Sequence, residues 1–481
     1  MSARSRFGRA ALALAVVAGL GACKRSKAPL VEEVWDEAPA SGQAEALGSL
    51  APPWSAPTRA VLDSGLITFW LHEPDAPATH LRVLLPVGDR PELQSAAVVA
   101  VLETHLQQSL ATRARSQGIS VETRSAPDRI EIVLHSATAD TSRALSTLGR
   151  VLAARSPSSG LETARAEVAG RLEGEPTADE RATAALAATL LGRRSSAQQA
   201  TAKAVTELSR DALLEGWEQL VDPRRAVLVV HSGHEASLYR AALRKLADGW
   251  RGRGRRPVLD SAIARLRTAS EPSSAPGRLL AEPATPMHIV PGPEGSPVVM
   301  IGRVVPTRSA ADRSLARLAQ RVLQEELDAR LVIRGDHGLF MLRVPLSGRE
   351  PEQTVTEAID ALTSLATTRQ PQQRLFQAAQ LWLGARMVQA SLDGEDWTAS
   401  WSDAIDLAED DDAIVGALAR DARSMLEPDP EALQQWLRQW LDPRSSEPGW
   451  RWLVAGASDR QTRRLARITP LAGADGESLA P

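Results

Sequence analysis

Residues 88–106 read Gly88-Asp89-Arg90-Pro91-Glu92-Leu93-Gln94-Ser95-Ala96-Ala97-Val98-Val99-Ala100-Val101-Leu102-Glu103-Thr104-His105-Leu106. An apolar strand, residues 81–87, leads into this stretch. A turn follows, and the alanine- and valine-rich run after it predicts a helix that carries Glu103 and His105. Two residues on a helix are separated by about 200° around the axis, so Glu103 and His105 do not share a metal. His105 is expected on the solvent face of an amphipathic helix, and composition alone makes Glu103 an ordinary helix residue.

The order strand, turn, alanine-rich helix with a central glutamate resembles the zinc-binding helix of the pitrilysin/insulinase peptidases, whose pattern is His-x-x-Glu-His. There two histidines four apart share a helix face and hold zinc, and the glutamate activates the attacking water. The matching residues here are Ala100, Val101, Leu102, Glu103 and Thr104. The resemblance therefore implies a vestigial base at Glu103, with Ala100 and Thr104 in place of the histidine ligands and zinc lost. Shifting the register to use His105 would put Val101 and Thr104 at the ligand and base positions, which is worse. The family takes a third ligand, a glutamate, from a helix roughly seventy residues further on. The matching segment is residues 161–181, with Gly170 or Arg171 at that position and Glu167 and Glu173 displaced to either side.

The resemblance extends outward. Leu62-Asp63-Ser64-Gly65-Leu66, followed by Ile67, Phe69 and Leu71 in alternation, is similar to the family's first turn and strand. Gly88-Asp89-Arg90 is similar to its turn before the metal helix. Residues 118–125 and 129–135 read as strands and 141–153 as a helix, which is also the family's order. Residues 208–220 predict another helix, with Ser209 as N-cap, then Asp222-Pro223-Arg224 and an apolar strand, residues 226–230. His231 and His234 fall at the end of that strand and read as loop residues, with no evident third metal partner.

The second half repeats the first. Ala432-Leu433 and Leu441-Asp442-Pro443-Arg444 echo Ala212-Leu213 and Val221-Asp222-Pro223-Arg224, 220 residues apart. The strand at 298–305, ending at Pro306, echoes 81–85 ending at Pro86. A helix is expected at 314–331, and the strand at 451–455 partners 226–230. A repeat this long means two homologous domains rather than a solenoid. The fold class expected is α+β, with two duplicated domains, each a mainly antiparallel sheet with helices packed on one face. The domains expected are 58–250 and 287–470, joined by a linker at 251–286 and followed by a tail at 471–481.

The N-terminus carries a different message. Arg4, Arg6 and Arg9 precede an apolar run, residues 10–18, too short to span a bilayer as a mature helix. It ends in Leu20-Gly21-Ala22-Cys23, which is similar to the lipobox of bacterial lipoproteins, and Cys23 is the single cysteine of the 481-residue chain. The resemblance implies a signal peptide at 1–22, lipidation at Cys23 and anchoring by acyl chains. A polar tether rich in Ala, Pro, Ser and Glu would occupy 23–57. Removing residues 1–22 deletes three arginines and no acids, so the net charge moves from -3 to -6. No basic field is left for nucleic acid. Lys24 after the anchor favours the outer membrane, facing the periplasm, by the enteric sorting pattern.

One further family element lies in the second half, roughly Arg-x-x-x-Gly-Leu-x-Tyr near the substrate. Arg334, Gly338 and Leu339 match, and the tyrosine is Met341. Arg334 is thus a candidate contact for a peptide carbonyl or carboxylate. Seven of the twelve tryptophans lie from Trp382 onward, so tryptophan supplies most aromatic contact area there, as core or as interface. The acidic run Glu409-Asp410-Asp411-Asp412 lacks the spacing of a calcium loop and reads as a solvated loop or helix start. Two functions follow from the resemblance. One is a non-catalytic partner of an active peptidase subunit of the same family, shaping its peptide chamber; the other is a stand-alone envelope lipoprotein that binds peptides or proteins. An active zinc endopeptidase with an atypical site would need ligands that are not found.

Overall fold

The computed structural model describes residues 57–468 apart from 88–92, 94, 126–127, 155–156, 175, 192–199, 253–260, 271–286, 291–292, 308, 335–336, 347–349, 368–379, 382–393, 406–407, 409, 427–429 and 444–448. The expectations for the signal segment, Cys23, the tether, the Gly88-Asp89-Arg90 turn, most of the linker, Trp382, Glu409 and the 471–481 tail lie outside the described residues.

The alternating and apolar runs form strands as expected. The first sheet holds β1 (Thr58–Val61), β2 (Ile67–His72), β3 (Ala78–Pro86), β4 (Ser120–Ser125), β5 (Arg129–Ala137) and β6 (Val227–Ser232), in the order β1-β2-β6-β3-β5-β4. The second holds β7 (His288–Val290), β8 (Val298–Pro306), β9 (Ala329–Arg334), β10 (His337–Pro345) and β11 (Arg451–Ala455), in the order β7-β11-β8-β10-β9. These are the same order, with β1 added at one edge. In each sheet one pair is parallel, β2 with β6 and β7 with β11, and the others are antiparallel. The duplication read from the 220-residue offset is therefore a duplication of topology. Two α+β domains with mainly antiparallel sheets are what the sequence implied.

Helices cover the inner face of each sheet. In the first half these are α1 (Ala96–Ala114), α2 (Thr141–Leu152), α3 (Ser158–Leu172), α5 (Ala202–Thr206), α6 (Arg210–Leu220) and α7 (Arg240–Gly249), and α4 (Ala178–Leu191) lies elsewhere. Ser209 caps α6, its hydroxyl accepting from the Ala212 N–H at 3.1 Å. Leu81, Val83, Leu85, Ile130, Ile132, Leu134, Leu228 and Val230 meet the α1 side chains Val98, Val101, Leu102 and Leu106 in one core.

The outer faces are the addition that the sequence reading did not contain. Strands such as Val227–Ser232 are buried at every residue, the mark of a sheet covered on both sides. Two segments of the later chain cover the first sheet, α8 (Ala262–Ser270) and α11 (Gly394–Ile405). They pack Ile263, Leu266, Trp397 and Trp401 against Ile67, Phe69, Val227 and Val229. Reciprocally, α4 from the first half lays Ala182, Leu186 and Leu190 on Met300, Leu339, Met341 and Leu453 of the second sheet. Each half thus lends a helix to the other's sheet.

The second half completes its inner face with α9 (Ala310–Leu327), α10 (Pro351–Thr367), α13 (Pro430–Trp440) and α14 (Asp459–Leu465), while α12 (Ile414–Leu426) packs beside α9 and α11. The helix expected to reach Leu331 stops at Leu327. Asp328 adopts φ +44°, left-handed backbone that a short polar side chain tolerates, and turns the chain into β9. Trp436, Trp450 and Trp452 are core residues here, and Trp440 lies under the Arg303 guanidinium, 5.0 Å away. The acidic run serves as a tie. Asp410 caps a single 3-10 turn, and Asp411 pairs with Arg59 of β1 at 2.8 Å and accepts from the Ala262 N–H that starts α8.

Candidate functional site

The site follows from how α1 meets α3. The apolar face of α1 enters the core, which turns Ala100, Glu103 and Thr104 toward α3. Two points fix the register of the helices. The Arg171 guanidinium donates to the Thr104 hydroxyl at 3.4 Å. One turn along, Gln108 contacts Glu167. Arg171 is thus the residue of α3 that reaches the second histidine's position, while exposed Glu167 lies a turn away and Gly170 offers no side chain. Burial pushes the Glu103 carboxyl above its ordinary range, and the Arg171 charge and a backbone hydrogen bond at Ser125 pull it back down.

These residues do not fit a zinc ion. Ala100 has no donor atom, the Thr104 hydroxyl accepts from a cation, and that cation, Arg171, stands beside the one carboxylate. Zinc takes thiolate, imidazole or carboxylate ligands, and a guanidinium has no lone pair to give and repels the metal. Among the described residues no group of three or more His, Cys, Asp or Glu side chains is arranged to hold a metal ion.

His105 corrects the sequence reading. It is 5% exposed, not on a solvent face, with its ring edge-on to Trp217 at 5.1 Å. Gly160 of α3 makes room for it: a Cβ there would lie 2.4 Å from the imidazole Cε1. The cause is that α1 is covered by the sheet on one side and by α3 and α6 on others, so its far face is also interior. The run from Ala96 to Leu102 without a polar residue was the available sign, since a helix that is apolar all round is a buried one. Desolvation lowers the His105 pKa, partly offset by a backbone hydrogen bond at Gly160, with the Arg113 charge lowering it further.

His231 is also not a loop residue. It lies within β6, 4% exposed, while His234 follows the strand and bonds the Tyr239 hydroxyl at 2.7 Å. His80 and His135 stand beside His231 on neighbouring strands, a grouping that needs strand register to see. Arg334 ends β9, where its backbone faces His337 across the hairpin into β10. Gly338 sits so close to β8 that an added Cβ would be 2.8 Å from the Thr307 methyl, and Met341 is buried among Leu339, Met300 and the α4 side chains. The position that holds a tyrosine in the family pattern is therefore an apolar contact between the halves. Among the described residues no helix is long and apolar enough to cross a membrane.

No family model matches the chain, and no curated protein matches it by sequence. Solved structures do. A protease from Helicobacter pylori is similar at TM-score 0.66 and 11% identity, covering 83% of this chain and 99% of its own. A peptidase M16 inactive domain from Pseudomonas fluorescens is similar at TM-score 0.62 and 14% identity, covering 83% and 98%. The periplasmic protease PqqL from Escherichia coli is similar at TM-score 0.60 and 11% identity, over 84% of this chain and 47% of that one. The chain has the fold of the M16-like peptidases, the pitrilysin-type frame that its sequence resembles.

Proposed function

We propose that this chain is a non-catalytic subunit that pairs with an active zinc peptidase of the same family and forms part of its peptide-degrading chamber. The observation that carries this reading is the guanidinium of Arg171 against Thr104, where the peptidases hold metal, inside an otherwise complete two-half peptidase frame. A helix with no ligand and an opposing cation has no water to activate. The frame nevertheless keeps the duplicated sheets that such a chamber is made from. The chain spans about half of PqqL, and its similarity over nearly all of a domain described as inactive supports a non-catalytic role. In this reading Arg334 contacts the peptide backbone or a carboxylate, and acylated Cys23 holds the protein to the bacterial envelope. PqqL is a periplasmic protease, which fits an outer-membrane anchor facing the periplasm.

The test is co-expression with a relative whose His-x-x-Glu-His motif is intact, preferably one encoded next to this chain. A stable complex with peptidase activity that neither chain shows alone is expected. Within it Glu103→Gln leaves turnover nearly unchanged, and Arg334→Ala lowers it by about 1–3 kcal/mol of transition-state stabilisation, the range for a charge-assisted hydrogen bond. A neighbour that is fully active alone and never co-purifies would overturn the pairing and leave a stand-alone peptide-binding lipoprotein.

A further inference from the structure

The outer face of the first sheet carries a polar row between apolar patches. His231 on β6, His80 on β3 and His135 on β5 are directly opposite one another across three adjacent strands, so their rings share one face. The His80 and His135 rings meet edge-on at 4.7 Å, with Nδ1 to Nδ1 at 2.7 Å. His231 bonds Glu73 at one end at 2.7 Å, and His135 approaches Glu395 at the other at 3.4 Å.

The covering element comes from the other half of the chain. Helix α11 starts over this row, and Gly394 sits so close that an added Cβ would lie 2.3 Å from His80 Cδ2 and 2.4 Å from His231 Nδ1. Trp397 of α11 lies 6.0 Å from the His231 ring, and the buried His231 Nδ1 has no hydrogen-bond partner among the described residues. Among the described residues, the charged groups on this face include Arg82 of β3, paired with Glu131 of β5 at 2.5 Å, and Arg124 of β4, paired with Glu122 and with Glu395. Arg129 of β5 approaches Asp128 and Glu131.

We propose that this histidine row is an acid-sensitive latch between the two halves, closed by the Nδ1–Nδ1 hydrogen bond of His80 and His135 and released when both rings are protonated. A hydrogen bond between two imidazole nitrogens needs one donor and one acceptor. The pair therefore accommodates one imidazolium while closed and never two, because the second proton sets N–H against N–H. Mild acid drives the protonation of imidazole, and the second proton on the pair breaks its hydrogen bond. Because Gly394 allows no slack above the rings, their separation lifts the start of α11 from the sheet, carrying with it the Arg82 bond to the Glu395 carbonyl at 3.5 Å.

Amide hydrogen exchange on the full chain, corrected for the intrinsic pH dependence, tests this. Between about pH 7.5 and 5.5 protection of residues 394–405 and of β5 is expected to fall at least about tenfold, while α9 and α10 keep theirs. His80→Gln and His135→Gln each leave a single titrating ring in the pair and are expected to abolish most of that loss. Unchanged protection in the wild type would overturn the latch, as would a loss spread evenly over both halves. The same loss in both variants would also overturn it. Should both variants fail to fold at neutral pH, the wild-type profile alone decides between these outcomes.

Discussion

Trp401→Ala measures how much each half depends on the helix that the other lends it. Trp401 is 1% exposed, stacked on Trp397 at 5.2 Å and edge-on to Phe69 of β2 at 5.8 Å. Truncating a buried tryptophan to alanine costs about 3–5 kcal/mol, and aromatic pairs of this geometry supply about 0.5–1.5 kcal/mol each of that. One feature offsets the loss: the Trp401 indole N–H is buried without a partner among the described residues, a group that costs about 1–3 kcal/mol where it stands. The expected destabilisation is therefore near the low end, about 3 kcal/mol. Trp401→Phe keeps a ring and removes the orphaned N–H, and it should cost less than about 1.5 kcal/mol. The assay is equilibrium urea unfolding followed by circular dichroism, with exchange protection of β2 and β6 as the local readout. The midpoint should fall and β2 and β6 should lose protection although the mutation lies in the second half. A loss below about 1 kcal/mol, or one confined to the second half, would refute the shared outer core.

The remaining predictions concern separate sites. Burial lowers the folded-state pKa of His105 below its ordinary 6.5, so its contribution to stability is present above that value and is lost as pH falls from there toward the folded-state pKa. His105→Leu should flatten the stability–pH profile across this window, and a slope equal to the wild type's would contradict it. Cys23→Ser should abolish incorporation of labelled lipid, since acylation has no other thiol in the chain. Label retained on that variant would show that the lipobox reading is wrong.

How far the sequence could be read depended on whether a feature was local. The strand at 298–305 and the repeated Asp-Pro-Arg turns were legible because a 220-residue offset survives in residue identities and in the alternation of apolar side chains. Ser209 was legible as a cap because a capping hydroxyl acts on an N–H three residues away. His105 was misread because its burial comes from Trp217 and Gly160, more than fifty residues distant, and no single-helix pattern reports them. The histidine row failed for the same reason in sheet form: His80, His135 and His231 become neighbours only once β3 lies between β5 and β6. Arg171 was half legible, since a spacing of roughly seventy residues named it or Gly170, and the hydrogen bond to Thr104 distinguishes them. The lent helices α4 and α11 were hidden because their apolar faces suit a sheet in either half equally well.

The proposed role stands on the expectation that α1 holds no metal, and that is open to direct measurement. The purified chain lacking residues 1–23 would be incubated with zinc, dialysed free of loosely held ion and analysed for metal content. With Ala100, Thr104 and Arg171 at the ligand positions, no stoichiometric zinc is expected, and Glu103→Ala should change nothing. One tightly held zinc per chain, lost on Glu103→Ala, would contradict the account.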